Sequence, residues 1–185
     1  MLLAQLHLHL PPWIHDEVDA RRDYALPADK IALAIDLSRR NVRHGSGGPF
    51  GAAVFDPAHR LVGVGVNRVV PTACSVAHAE MMAFATSQQR TQSYRLNASG
   101  GPWTLATSSQ PCTMCYGAMF WAGIDELLIG ARTEDVQSLA GFDEGPLPAD
   151  WRGELRKRGI AVQVDLGREA ACEVLRDYGS GGHVY

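Results

Sequence analysis

His78-Ala79-Glu80 and Pro111-Cys112-Thr113-Met114-Cys115 are the stretches of this chain whose side chains could do chemistry together. His78 offers an imidazole, and Glu80 a carboxylate two residues on. Cys112 and Cys115 offer thiolates three residues apart, which share one face of a helix. Pro111 suits a helix entry, where its missing N–H would have no partner anyway. The unpaired amides of a first helical turn favour thiolate over thiol. One imidazole and two thiolates make a donor set that suits zinc, one ion per chain. Three protein ligands leave a fourth position for water, as in catalytic rather than structural zinc sites. Glu80 is then the candidate base, because a carboxylate beside such a water can take its proton and pass it on. Residues i and i+2 do not share a helix face, so His78 and Glu80 can serve one spot only at the helix start.

Another reading of the same residues stays open. C-x-x-C alone occurs in redox sites and structural zinc modules alike. Cys74 stands four residues before His78. Cys74, His78, Cys112 and Cys115 together would close a structural site with no place for water, as in a non-catalytic interaction module.

The elements that must position these groups follow from the pattern of apolar residues. Ile31, Ala34, Ile35, Ser38 and Val42 line one side of a helix over 28–44, with Arg39, Arg40 and Arg43 on its polar side and last turns. Gly45 to Pro49 breaks it, and strands over 50–55 and 61–66 flank a short turn, giving a hairpin. The Gly-rich break precedes a strand, so neither a P-loop nor a dinucleotide fingerprint fits it. Helices over 77–89 and 112–122 carry the two motifs, separated by a surface loop over 90–101 and a strand over 103–107. A strand over 127–130, a helix over 133–141, a loop over 141–146, a helix over 150–158, a strand over 160–164 and a helix over 168–178 complete the order. Alternating helix and strand after a hairpin predicts a three-layer α/β/α fold around a central mixed five-stranded sheet. The zinc then needs the helix starts near His78 and Cys112 to lie side by side.

The 185 residues suit one domain, with 1–27 as an N-terminal extension and 179–185 as a C-terminal tail. In the extension, Leu6, Leu8 and Leu10 alternate with His7 and His9, as a short edge strand would, before Pro11-Pro12 stops it. The two histidines have no carboxylate or Cys at a ligand spacing and read as surface residues. A net charge of −3 lowers the expectation of nucleic-acid binding. Neither a signal peptide nor a membrane span is expected, and four cysteines without a disulfide framework point to a reducing cytoplasm.

The H-x-E…P-C-x-x-C pair resembles the signature of the cytidine-deaminase-like zinc hydrolases. Within them, Gly47 to Ala52, Asn67 to Pro71, Ala77 to Glu80, Pro111 to Met119, Gly141 to Glu144 and the Tyr-ended tail resemble bacterial guanine deaminases. That resemblance implies hydrolysis of guanine to xanthine and ammonia in purine catabolism, by a homodimer with a swapped C-terminal segment. It makes His78, Cys112 and Cys115 the zinc ligands and Glu80 the proton shuttle. It gives Asn67, Phe50, Ala79 (through its backbone) and Tyr185 to the purine base, and gives Glu144 a proton for the leaving amine. Asn67 reads equally as a turn residue, Phe50 as core, Glu144 as a solvated loop carboxylate, and Asp143 competes for the role of Glu144. The same motifs occur in deaminases of other bases and nucleosides, including those that convert tRNA adenosine at position 34 to inosine.

Overall fold

Successive residues of a strand point to opposite faces of its sheet, and here both faces are apolar. The computed structural model describes residue 2 and residues 4–181, with strands β1 (Gly51–Phe55), β2 (Leu61–Val66), β3 (Thr104–Ser109), β4 (Glu126–Ala131) and β5 (Ala161–Gln163). They form one sheet of order β2-β1-β3-β4-β5. β1 is antiparallel to both β2 and β3, whereas β3, β4 and β5 run parallel. Ala52, Val54, Leu105, Leu127 and Ile129 belong to one buried cluster, and Ala53, Phe55, Ala106 and Leu128 to the other. A sheet with two apolar faces needs a helix layer on each.

One layer contains α2 (Pro27–Arg43), α6 (Thr133–Ala140) and α8 (Arg168–Ser180), which bury Ile31, Val136 and Leu175 among others. The other contains α4 (Ala79–Thr91), α5 (Thr113–Ala122) and α7 (Trp151–Lys157). This is the expected α/β/α sandwich around a mixed five-stranded sheet. α4 lies close to β2 because Val-Gly-Val-Gly-Val alternates, and its two glycines, Gly63 and Gly65, are the residues that face α4. A Cβ on Gly65 would sit 2.0 Å from the Ala79 carbonyl oxygen, and one on Gly63 would sit 2.2 Å from Ser87 Oγ. These two glycines let the start of α4, with His78 and Glu80, press onto the sheet.

The structure corrects several expectations. Residues 4–10 form no strand, and Leu6 is 71% exposed. Alternation without a neighbouring strand to pair with does not make a ladder. The N-terminal segment is instead anchored through α1 (Trp13–Glu17), with Trp13, Ile14 and Tyr24 buried in the cluster beneath α2. α3 (Val69–Thr72) falls in a stretch where the sequence pattern predicts no element, and a 3-10 turn over Leu96–Ser99 falls in the expected surface loop. α8 runs past residue 178 to Ser180, so the first two residues of the expected tail are helical. Gly179 is not a point of freedom there: a Cβ would lie 2.1 Å from the Leu139 carbonyl oxygen, so it serves the close packing of α8 on α6. Residues 182–185, Tyr185 included, lie outside the described residues. No helix among the described residues is long and apolar enough to cross a membrane.

Candidate active site

Both motif helices start in the same way. His78 (φ −69, ψ 159) and Cys112 (φ −64, ψ 171) are extended residues directly preceding α4 and α5. Their carbonyls accept the first helical hydrogen bonds, from Met82 N–H at 2.9 Å and Tyr116 N–H at 2.8 Å. His78 Nδ1 and Cys112 Sγ lie 3.5 Å apart across the two helix starts. One ligand atom each from His78, Cys112 and Cys115 falls within 4.8 Å of the others, and no other such group of His, Cys, Asp or Glu occurs among the described residues. Two sulfurs and one imidazole nitrogen at that spacing fit zinc. Cys74 is not part of the group and stands half-buried before it, so the closed four-ligand site does not form.

The electrostatics of the cluster call for a cation. A sulfur–hydrogen bond from Cys115 and the neighbouring His78 hold the Cys112 thiol down to about 4, against burial. The same bond, with burial, holds the Cys115 thiol far up, so a single proton serves the pair. Burial opposes charge on His78, but the Cys112 sulfur and the Glu80 carboxylate outweigh it and raise its pKa. A dication replaces these shared protons and lets both sulfurs act as thiolates.

A cavity of about 200 Å³ opens beside the cluster, lined by Phe50, Asn67, His78, Ala79, Glu80 and Cys112 together with Ser109, Gln110, Phe142, Asp143 and Glu144. It sits at the carboxyl end of β3, where the sheet changes from antiparallel to parallel, a usual place for ligands in such sheets. Glu80 is 6% exposed and accepts a hydrogen bond from Thr107 Oγ1 at 3.3 Å. Burial and the Cys112 sulfur push its carboxyl up. Glu144 is 9% exposed, and burial with the Cys112 and Glu80 charges raises it to about 8. Its carbonyl accepts from Thr113 N–H at 3.0 Å, which ties the loop after α6 to the first turn of α5. Asp143 is more exposed and spends one oxygen on the Gly145 amide at 2.9 Å.

The structure thus brings Phe50, Asn67, His78, Ala79, Glu80, Cys112 and Glu144 to one cavity, with Cys115 behind it in the metal-binding group, while Tyr185 lies outside the described residues. Asn67 is 1% exposed, with Oδ1 accepting from Val69 N–H at 3.3 Å. Phe50 is half-buried and meets Phe142 edge-on at 5.1 Å, so it is both core and cavity wall. Ala79 is fully buried and presents no side chain beyond its methyl group. Sequence reasoning passed over Ser109, whose buried Oγ has no hydrogen-bond partner among the described residues. It also gave no separate part to Phe142, which an aromatic residue two positions after a helix does not by itself signal.

Residues 28–131 match the family model described as the cytidine and deoxycytidylate deaminase zinc-binding region. A guanine deaminase from Bacillus subtilis is 33% identical over 114 residues, which is 62% of this chain and 69% of that protein. A tRNA-specific adenosine deaminase from Buchnera aphidicola is 36% identical over 131 residues, 70% of this chain and 79% of that protein. The crystal structure of a guanine deaminase from Nitrosomonas europaea superimposes with a TM-score of 0.90 at 40% identity, covering 97% of this chain and 99% of that one.

Proposed function

The chain belongs to the cytidine and deoxycytidylate deaminase zinc-binding family, and from that membership we propose that it is a zinc-dependent hydrolase converting guanine to xanthine and ammonia. The observation that carries the substrate is the match at 40% identity to a guanine deaminase over 97% of the chain. That stretch extends past the family region into the segment where Phe142 and Glu144 wall the cavity. The cavity supports a free base: about 200 Å³ is less than the roughly 300–1,000 Å³ of drug-sized ligand sites.

His78, Cys112 and Cys115 would hold the zinc, which when bound supplies Lewis acidity that makes water nucleophilic near neutral pH. Glu80 takes one proton from the attacking water and delivers it to N3 of the base as the water oxygen adds to C2. The second water proton reaches the 2-amino group through Glu80 and Glu144, and the group leaves as ammonia while the C2 carbonyl forms. Asn67 hydrogen-bonds the base, the Ala79 backbone meets its edge, and Phe50 and Phe142 close its faces and exclude water.

The proposal extends to a cytoplasmic homodimer acting in purine catabolism. Met114, Gly117, Ala118 and Trp121 lie at i, i+3, i+4 and i+7 on α5, and Trp121 is 79% exposed. Across α4 and α5 the one exposed charged residue is Arg90. A face so poor in charge suits burial against its own copy about a two-fold axis. Tyr178, near the end of α8, stacks on Phe142 at 5.9 Å. That position supports a tail that acts beside this pocket, at its own chain's site or, as the resemblance implies, swapped to the partner's.

The test is a substrate panel on purified, zinc-loaded protein: guanine, adenine, cytosine, guanosine and a tRNA stem-loop, with ammonia release as the readout. Guanine should give the highest kcat/KM by at least tenfold. Preference for the stem-loop would replace this reading with tRNA editing, and no turnover of any substrate would leave a non-catalytic zinc module.

A further inference from the structure

Asn67 and Phe50 come from different segments, and one buried side chain on a third element joins them. Asn41 lies near the end of α2 and is 0% exposed. Its amide nitrogen donates to the Gly48 carbonyl at 2.8 Å and to the Asn67 carbonyl at 3.0 Å. The Gly48 carbonyl also accepts from Phe50 N–H at 2.9 Å, and the Phe50 carbonyl accepts from Asn67 N–H at 3.1 Å. The two pocket residues therefore hang from one fork of donors. The remaining acceptor of Asn41, Oδ1, takes the Ser46 hydroxyl at 2.7 Å, and Ser46 Oγ in turn accepts the Trp13 indole N–H at 3.0 Å.

Each atom here demands its residue type. Both targets of the fork are carbonyl oxygens, so a carboxylate would set acceptor against acceptor. A primary amide supplies two N–H groups and one acceptor, and all three are used. The two carbonyls fix which way the amide faces, because only its nitrogen can donate to them, and the Ser46 hydroxyl, shared between Oδ1 at 2.7 Å and the Asn41 carbonyl at 3.2 Å, holds the other side. Gly47 leaves the room: a Cβ there would lie 1.9 Å from the Asn67 carbonyl oxygen and 2.8 Å from Asn41 Nδ2.

We propose that Asn41 is the positioning residue for the base-recognising wall of the pocket, setting the spacing of Asn67 and Phe50, and that Trp13 and Ser46 lock its orientation. The N-terminal segment thereby acts on substrate recognition from outside the pocket. The inference rests on the guanine reading of the pocket, and its test separates the two.

Asn41→Asp, nearly isosteric, removes the donor fork. In zinc-replete protein it should raise KM for guanine at least tenfold while kcat falls less. Amide hydrogen exchange over 46–50 and 67–69 should accelerate, with zinc content unchanged. Ser46→Ala and Trp13→Phe should shift KM in the same direction by about two- to fivefold, and Ser46→Thr, which keeps the hydroxyl, should restore it. Should Asn41→Asp fail to fold, the Ser46 and Trp13 variants decide, since each removes only one link. Wild-type KM and exchange in the folded variants would overturn the proposal. Faster exchange in a protein that never deaminates guanine would keep the clamp and reject the substrate.

Discussion

Cys112 and Cys74 have opposite fates in this reading, although both are cysteines beside the same histidine. Cys112 is drawn to the thiolate by its neighbours and lies 3.5 Å from His78 Nδ1, whereas Cys74 stands outside the metal-binding group. Cys112→Ser should therefore lose zinc and activity together, and Cys74→Ser should keep both, by metal analysis of the dialysed proteins. Loss of zinc from Cys74→Ser would restore the closed structural site. The two carboxylates divide in another way. Glu80→Gln keeps every ligand and removes the base, so zinc should stay while kcat falls by about 10²–10⁴-fold. Glu144→Gln should also lower kcat steeply, and Asp143→Asn less, because Asp143 is exposed and already engaged with Gly145. A larger effect of Asp143→Asn would reverse that assignment. The zinc ligands and Glu80 were legible in the sequence because their chemistry resides in residue type and short spacing, whereas Glu144 was reached only through the resemblance to guanine deaminases. Asn41 was not, since its importance lies in bonds to Gly48 and Asn67, and the second of these spans 26 positions of the chain.

Elements were legible where apolar period and length agreed, as for α2, α8 and the hairpin, and their order sufficed to give the mixed sheet. The period says nothing about a helix as short as α1 or α3, and the alternation of Leu6, Leu8 and Leu10 misled because no strand was available to pair with it. Side-chain forks between helix starts are equally invisible to pattern. Asp135, in the first turn of α6, accepts both guanidinium nitrogens of Arg168 at 2.7 Å, and its Oδ2 also accepts Arg132 N–H at 2.9 Å. Arg132 grips Asp165, just before α8, with the same two-pronged geometry at 2.7 Å. The Arg168 bond holds the Asp135 carboxyl down to about 2, from an ordinary value of 3.8. A depressed acid stabilises the fold above its unfolded value, and that stability is lost as pH falls through the folded one. Asp135→Asn should thus lower the melting temperature by a few degrees at pH 5–7. The difference from wild type should shrink between about pH 4 and pH 2. An equal difference at pH 2 and pH 6 would show that the charge of Asp135 contributes nothing to stability.

At the scale of the molecule, the site is assembled from both helix layers. The starts of α4 and α5, with the residues that precede them, supply the metal ligands and Glu80, whereas the wall opposite comes from Phe142, which packs between Phe50 and Tyr178 of α8. α8 therefore ends against Phe142, behind the wall of its own chain's pocket, and residues 182–185 follow one residue after it. Ending the chain at Gly181 leaves α8 and the Gly179 contact with Leu139 intact, so folding and zinc content should not change. If the tail serves the pocket, kcat/KM for guanine should fall at least tenfold. Equal kcat/KM for the shortened and full-length enzymes would remove the tail from the function. If the chain dimerises as proposed, mixed dimers then decide whose pocket it serves. A shortened chain with Glu80 intact, paired with a full-length Glu80→Gln chain, contains one working base and one tail on different subunits. With the tail acting at its own pocket, such dimers should stay as slow as the shortened enzyme. Recovery toward half of the wild-type rate would mean that the tail crosses to the partner subunit of the proposed dimer, so that each active site draws on both chains.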